Sequence, residues 1–413
     1  MMSENHARIS IHYLLSIFLL VCSTLSLAAE DRRLYHVDYK IEFQPKTHSA
    51  QVEIKLGKGA EYVRWIRLQI DPEYHTGFKG SCCIEKQGNH VLWTPEPEGG
   101  TLSFNARIDH RRKAGTYDAL FTDDWAVFRG DDLVPPVRVD MEDGTKARAK
   151  LYFDLPKGWT IVTPYPRYSS GAYKVDRAHR LFDRPTGWMV AGSIGVKREQ
   201  IRGVSVSVAG PKGQSVRRMD ILALLNWNLP TLLDIFPGFP ERILIVSAGD
   251  PMWRGALSGP DSLYVHADRP LISEDGTSPL IHEMVHVAMA ARSGARSDWL
   301  VEGLAEYYSL EIMRRSGTIT PRRYEKAHEQ LAERGKKAST LVADRSYGPI
   351  TAKAVGVLRA LDNEIRKNTN NSASLDNVVK ELAAQRGEIT LDRVRMVAEQ
   401  VAGMPLETLD EIQ

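Results

Sequence analysis

From residue 34 to about 196, apolar residues recur at every second position. Tyr35, Val37, Tyr39, Ile41 and Phe43 alternate with polar neighbours, the period of a strand with one buried face. Further β-rich runs cover 50–56, 63–70, 101–108 and 150–153, separated by turn formers such as Pro95-Glu96-Pro97-Glu98-Gly99-Gly100. No long helical period interrupts them, so this part predicts an all-β sandwich domain. Residues 201–268 are mixed: strands over 204–208, 242–246 and 262–266, and a helix over 219–233 stopped near Pro237. From Ser278 onward the period is helical. Ser278 caps a helix with Pro279 at its first position, and Gly294 is expected to end it. A second helix is predicted from about 298 to 315, ending at Gly317, and Thr320-Pro321 opens a third. Helices over 351–366, 375–385 and 391–401 follow, the last two capped by Ser374 and Thr390. The fold class is therefore α+β and multidomain: a β-sandwich domain over 29–200, a mixed domain over 201–317 and a helical C-terminal region over 318–413.

Residues 1–28 follow another pattern. Arg8 precedes an apolar run from Ile11 to Cys22, and Ser26-Leu27-Ala28 places small residues at a cleavage site. This is the pattern of a bacterial-type signal peptide, and the run is short for a membrane span. The expectation is a periplasmic or secreted protein with no stable membrane span after cleavage. The alternative is inner-membrane anchoring by an uncleaved signal. The whole chain of 413 residues is 43% hydrophobic and 26% charged, which excludes a largely disordered chain and a polytopic membrane protein. Its 54 Lys+Arg against 52 Asp+Glu leave no electrostatic footprint for nucleic acid. Of 3 cysteines, Cys22 lies in the leader. Cys82 and Cys83 are adjacent, so no disulfide framework is expected, and both are read as small buried residues.

His282-Glu283-Met284-Val285-His286 is an H-E-x-x-H motif within a helical pattern. Four residues apart on a helix, the two imidazoles share a face and can bind one Zn²⁺, with Glu283 placed as general base. Downstream, Trp299-Leu300-Val301-Glu302-Gly303 resembles the W-L-x-E-G signature of the gluzincin metallopeptidases. The resemblance implies Glu302 as third zinc ligand and a thermolysin-like catalytic domain. Two neutral imidazoles and one carboxylate would leave the centre net positive, lowering the pKa of an activating water to about 7. Gluzincins also place an acid at the position of Glu306, where it orients a zinc-binding histidine; the resemblance implies that role here, for His282 or His286.

The likeness extends more loosely to the glycyl-aminopeptidase-like branch. Leu155-Pro156-Lys157-Gly158-Trp159 and Phe182-Asp183-Arg184-Pro185-Thr186-Gly187 resemble its β domain. Lys353, the run Leu361-Asp362-Asn363-Glu364-Ile365-Arg366 and Ser374-Leu375-Asp376 resemble its later helices. Two positions depart. Relatives carry a glutamate that binds the substrate's α-amine, where Gly255-Ala256-Leu257-Ser258-Gly259-Pro260-Asp261 has Ser258, with Asp261 as a possible substitute. Relatives carry an oxyanion-stabilising tyrosine where this chain has Thr351; Tyr347 is the nearest replacement. By analogy with the fold, 262–266 is the edge strand along which an extended peptide would lie. His266 is read as structural and His328 as exposed, while Arg184 and Arg269 are candidates for a substrate carboxylate.

These observations lead to an exported zinc metallopeptidase acting on a peptide or protein substrate, with Glu283 and Tyr347 catalytic. His282, His286 and Glu302 would hold one zinc, with Glu306 behind them. The alternatives are an aminopeptidase of the same fold, and an envelope binding or assembly module with a non-catalytic zinc.

Overall fold

The alternating N-terminal pattern forms strands in a computed structural model that describes residues 33–175, 182–410 and 412. The leader expected over residues 1–28 lies outside the described residues. In chain order the strands begin with β1 (Leu34–Gln44), β2 (Ser49–Leu56), β3 (Val63–Gln69), β4 (His75–Gly80), β5 (Ile84–Gln87), β6 (His90–Trp93) and β7 (Gly100–Arg107). They continue with β8 (His110–Arg111), β9 (Tyr117–Phe121), β10 (Trp125–Arg129), β11 (Val137–Met141), β12 (Lys146–Asp154), β13 (Thr160–Val162), β14 (Tyr173–Lys174) and β15 (Trp188–Gly192). Next come β16 (Ile194–Ile201), β17 (Val204–Pro211), β18 (Arg242–Ala248), β19 (Ala256–Gly259), β20 (Ser262–His266), β21 (Arg292–Ser293) and β22 (Glu388–Ile389). The helices are α1 (Gly130–Leu133), α2 (Arg218–Ile235), α3 (Pro279–Met289), α4 (Asp298–Arg315), α5 (Pro321–Gly335), α6 (Gly348–Asn368), α7 (Leu375–Gln385), α8 (Leu391–Ala402) and α9 (Glu407–Asp410).

The chain divides into two compact units. The first takes the described residues up to Arg107, then Asp131–Leu155 and Tyr165–Pro185. It holds a six-stranded sheet, β14-β12-β1-β2-β7-β4, and a four-stranded sheet, β11-β3-β6-β5. Along β1 the predicted alternation is realised: Tyr35, Val37, Tyr39, Ile41 and Phe43 are buried, and the residues between them are not. β1 runs antiparallel to β2 but parallel to β12, a pairing between segments far apart in sequence.

The second unit takes Ile108–Gly130, Pro156–Pro164 and everything from Thr186 onward. Its main sheet has the order β16-β17-β18-β20-β19. Both faces are covered. Ile243 and Ile245 of β18 and Leu263 and Val265 of β20 enter one core with the helices. Leu244, Val246 and Tyr264 enter another core with Leu120, Trp125, Val162, Trp188 and Val190 of the small sheet β13-β15-β10-β9-β8. Burial on both faces explains why β18 reads as an unbroken apolar run rather than an alternating one. The architecture is thus α+β, with a β-rich N-terminal region followed by a helical C-terminal part.

These units do not follow boundaries at 200 and 317. Segments 108–130, 156–164 and 186–200 share the core of the second unit, and α7 and α8 share a core with α3 and α4. Three readings of burial and edges are corrected. Cys83 is exposed and Cys82 half-buried, because the turn between β4 and β5 turns both thiols out of the core. His328 is buried, stacked edge-on against Tyr324 at 4.5 Å. The strand at residues 262–266 is not an edge: β20 lies between β18 and β19, and β19 forms the edge. Among the described residues, no helix is long and apolar enough to cross a membrane.

Candidate metal centre

Helix α3 starts as its sequence demands. Ser278 Oγ accepts the Ile281 N–H at 3.3 Å and donates to the Leu271 carbonyl at 2.6 Å, and Pro279 takes the first position. The helix ends earlier than Gly294. Ala290 turns into the left-handed region (φ 46°), its N–H bonding the His286 carbonyl, and the chain passes into β21. Leu280, Ile281, Met284, Val285, Val287, Ala288 and Met289 are buried, which leaves His282, Glu283 and His286 as the more open stripe.

Helix α4 is buried nearly all round. From Trp299 to Met313 only Glu302 and Glu306 depart from full burial, and both face the stripe on α3. Its axis is held by large buried side chains, Trp299, Leu300, Tyr307 and Tyr308 among them. Each such side chain contributes about 1.5–3 kcal/mol, well above the few tenths that helix propensity adds per residue. Gly303 permits the approach of α6: a Cβ there would stand 2.6 Å from Ala354 Cβ. The helix position, and so the reach of Glu302, is set by packing.

The donors converge. The two imidazole Nε2 atoms are 3.1 Å apart. Glu302 Oε2 is 3.4 Å from His282 Nε2, and Glu302 Oε1 is 3.5 Å from His286 Nε2. One donor atom from each of the three residues lies within 4.8 Å of the others. A tetrahedral centre with metal–nitrogen bonds of 2.0–2.1 Å needs ligand–ligand edges of about 3.3 Å, so the set fits zinc. Glu306 Oε2 meets His282 Nδ1 at 2.8 Å. That contact selects His282 over His286, and it fixes the tautomer with Nδ1–H donating and Nε2 free to ligate. Replacing Glu306 with Ala is expected to lower zinc affinity about 10–100-fold, read by competition against a chelating indicator; unchanged affinity would reduce Glu306 to a packing residue.

The charges agree with this donor set. Burial works against charge on His282, but the Glu302 and Glu306 carboxylates outweigh it and hold the imidazole well above its ordinary range. Burial and the neighbouring His282 charge push His286 down. Burial would raise Glu302, yet its hydrogen bond to His282 and the charge of His286 hold the carboxyl below its usual value. The cluster therefore carries ionised carboxylate that calls for a positive charge, from a proton or from a divalent cation.

Glu283 lies on the same turn. Its Oε2 accepts the backbone N–H of Ser258 at 2.7 Å, which ties the carboxylate to the edge strand β19. Asp261 sits in the β19–β20 turn with φ 52°. Tyr347 stands at the N-cap position of α6, which begins at Gly348 rather than at residue 351; the residue is 59% exposed, and its hydroxyl makes no hydrogen bond to the described residues. Its loop is anchored: Ser346 N–H donates to Asp298 Oδ2 at 2.7 Å and Ser346 Oγ meets Thr351 Oγ1 at 2.8 Å. Asp298, the first residue of α4, reads in sequence only as an ordinary acid at a helix start, and nothing local marks it as the anchor of that loop.

Other singled-out residues stand apart from the donors. His266 is buried, its Nδ1 accepting the Asp268 N–H at 3.2 Å. Arg184 pairs with Asp131 at 3.3 Å within the first unit. The Arg269 carbonyl accepts from Arg217 at 2.6 Å. Lys353 donates to the Ala338 carbonyl at 3.3 Å. A cavity of about 1220 Å³ lined by Gly335, Leu341, Ala352 and Gly356 contains none of the donors, so ligand geometry rather than cavity size locates the centre.

No family profile and no curated protein matches the chain. Solved structures do. An aminopeptidase N family protein from Idiomarina loihiensis superposes with a TM-score of 0.65 at 16% identity, covering 84% of this chain and 70% of that one. A mutant M1 zinc metallopeptidase from Deinococcus radiodurans gives 0.57 at 13%, covering 92% of each chain. A two-domain M1 zinc metallopeptidase bound to L-arginine gives 0.55 at 14%, again with 92% of each. The chain therefore has the fold of the M1 zinc metallopeptidases, the gluzincin architecture, and it brings a His-His-Glu donor group together within that fold.

Proposed function

We propose that the protein is an exported zinc metallopeptidase that hydrolyses peptide bonds. One observation carries the peptidase part of this reading: three candidate ligands from α3 and α4 converge beside Glu283, whose carboxylate already touches an open strand edge. His282, His286 and Glu302 would hold the ion, which when bound polarises a carbonyl and lowers the pKa of a water. The protein side chains do the rest. Glu306 keeps the His282 lone pair on Nε2. Glu283 takes a proton from the attacking water and passes it to the leaving amine. The outer edge of β19 offers backbone groups to an extended substrate, which would pair as an added strand. A structural zinc site is closed by four protein ligands, and among the described residues this group has three, which favours catalysis over a binding module.

The likeness to an aminopeptidase N family protein favours a second reading, removal of N-terminal residues. Ser258 argues against it, because a hydroxymethyl group supplies no charge to hold an α-ammonium. Digestion of paired peptide libraries, one with free and one with acetylated N-termini, separates the two. Internal cleavage of both libraries is the expected result, read by mass spectrometry. Cleavage confined to free termini would assign the aminopeptidase activity.

Tyr347 is the proposed oxyanion donor, its loop held to α4 through Asp298. Tyr347→Phe is expected to lower kcat about 10²–10³-fold with KM little changed. An unaltered kcat would remove Tyr347 from the mechanism.

A further inference from the structure

The turn that joins β4 to β5 carries two adjacent thiols that the peptidase reading does not use. In an extended strand neighbouring side chains point to opposite faces, which would keep two such sulfurs apart. Here the chain bends at Ser81 and Cys82 before β5 begins at Ile84, and the Sγ atoms stand 3.2 Å apart. The turn is held on both sides. The Ser81 N–H donates to the Thr101 carbonyl at 2.9 Å, and the Thr101 N–H donates to Ser81 Oγ at 3.0 Å. The Thr94 N–H donates to the Cys83 carbonyl at 3.0 Å. Two glycines let the turn close up: a Cβ at Gly80 would stand 2.5 Å from Ile84 Cδ1, and one at Gly100 would stand 2.5 Å from Ser81 Oγ. The backbone under the thiols is thus anchored to β7 and to the residue after β6.

Exposure divides the pair. Cys83 is exposed and Cys82 half-buried, so Cys83 is the sulfur open to a reagent and Cys82 the one behind it. The hydrogen bond to Cys82 and the charge of that neighbour hold the Cys83 thiol above its ordinary range. A higher pKa leaves less thiolate at neutral pH, but each thiolate is a stronger nucleophile. Once one sulfur is oxidised, the other has only the 3.2 Å contact to cross. The Cys82–Cys83 peptide is trans. Neighbouring Cα atoms are then about 3.8 Å apart, short of the about 4.4 Å at which ordinary disulfides begin. A bond between these two residues therefore closes under strain and is readily reduced, unlike a structural crosslink.

We propose that Cys82 and Cys83 are a reversible thiol–disulfide exchange site, which takes a low-molecular-weight disulfide and closes to a disulfide between the two adjacent residues. The Cys83 thiolate attacks one sulfur of the reagent. A bond forms to Cys83 Sγ, the reagent's S–S bond breaks, and one thiol leaves with the proton that Cys83 lost. Cys82 Sγ then attacks Cys83 Sγ, and the second thiol leaves with the Cys82 proton. Two protein thiols are oxidised to one disulfide, and one disulfide is reduced to two thiols. The test uses the full chain with Cys22→Ser, which leaves Cys82 and Cys83 as its sole thiols. Glutathione disulfide is added, and the intact mass is followed after acid quenching. The expected product has lost two hydrogens and carries no glutathione, and dithiothreitol restores the starting mass. In the same background Cys82→Ser is expected to stop with one glutathione attached. Cys83→Ser is expected to react at least about tenfold more slowly, because its remaining sulfur is half-buried. Zinc content and thermal midpoint show that both variants fold. No reaction with millimolar glutathione disulfide, two attached glutathiones, or disulfide-linked dimers as the main product overturns the proposal. Equal rates for the two folded variants would overturn the assignment of Cys83 as the attacking sulfur.

Discussion

Glu283→Gln is expected to leave one zinc bound and to lower peptide hydrolysis about 10²–10⁴-fold. The amide keeps the shape of the carboxylate and can still accept the Ser258 N–H, so the strand edge and α3 should stay in place. What it cannot do is take a proton. The three ligands are untouched, because Glu283 is not among the converging donors. Metal content by elemental analysis and activity on the peptide libraries give the two readouts. Retained zinc with lost activity supports the assignment. Wild-type activity in the variant would sink the mechanism, and loss of zinc would mean that Glu283 belongs to the donor set.

Glu311→Gln is expected to remove about 2–3 kcal/mol of stability at neutral pH, without touching the metal centre. Glu311 lies on the far side of α4, its side chain only 5% exposed. It meets Arg314 and Arg315, each at 2.8 Å, and the Tyr324 hydroxyl. Burial pushes the carboxyl up, but the hydrogen bonds to Arg314 and Tyr324 and the charge of Arg315 outweigh it and bring its pKa from 4.5 to about 2. A shift of that size corresponds to about 3 kcal/mol. The lower end is expected because Arg314 is 39% exposed and Arg315 keeps Asp376 at 2.6 Å, so neither cation is stranded.

The sign follows from a depressed carboxyl. Its stabilisation is complete above pH 4.5, and it disappears as pH falls through about 2. Urea midpoints of wild type and variant should therefore differ at pH 7 and converge near pH 2. A difference that persists undiminished would mean that Glu311 acts through shape alone. His328 adds its own pH dependence, with the Glu311 charge giving a smaller upward pull on it. Burial of the imidazole, with a smaller push from Arg359, lowers its pKa to about 4, so both proteins should lose stability between pH 6.5 and 4 as the unfolded chain takes up a proton.

The sequence by itself determined what depends on near neighbours. The spacing of His282 and His286, the caps at Ser278, Thr320, Ser374 and Thr390, and the alternation along β1 all arise within a few residues, and each is realised in the structure. Glu302 was legible only through its motif, since no spacing rule carries a ligand from one helix to the next. The tertiary structure decided whatever depends on segments distant in the chain. β20 reads as a candidate edge until its parallel pairing with β18 and its antiparallel pairing with β19 enclose it. Glu306 could serve either histidine until the packing of α4 against α3 brings it to His282. His328 reads as exposed until Tyr324 covers it. The parallel pairing of β1 with β12 joins residues more than a hundred positions apart. Local periodicity specifies which side of an element is apolar; the partner that covers it is selected by long-range packing.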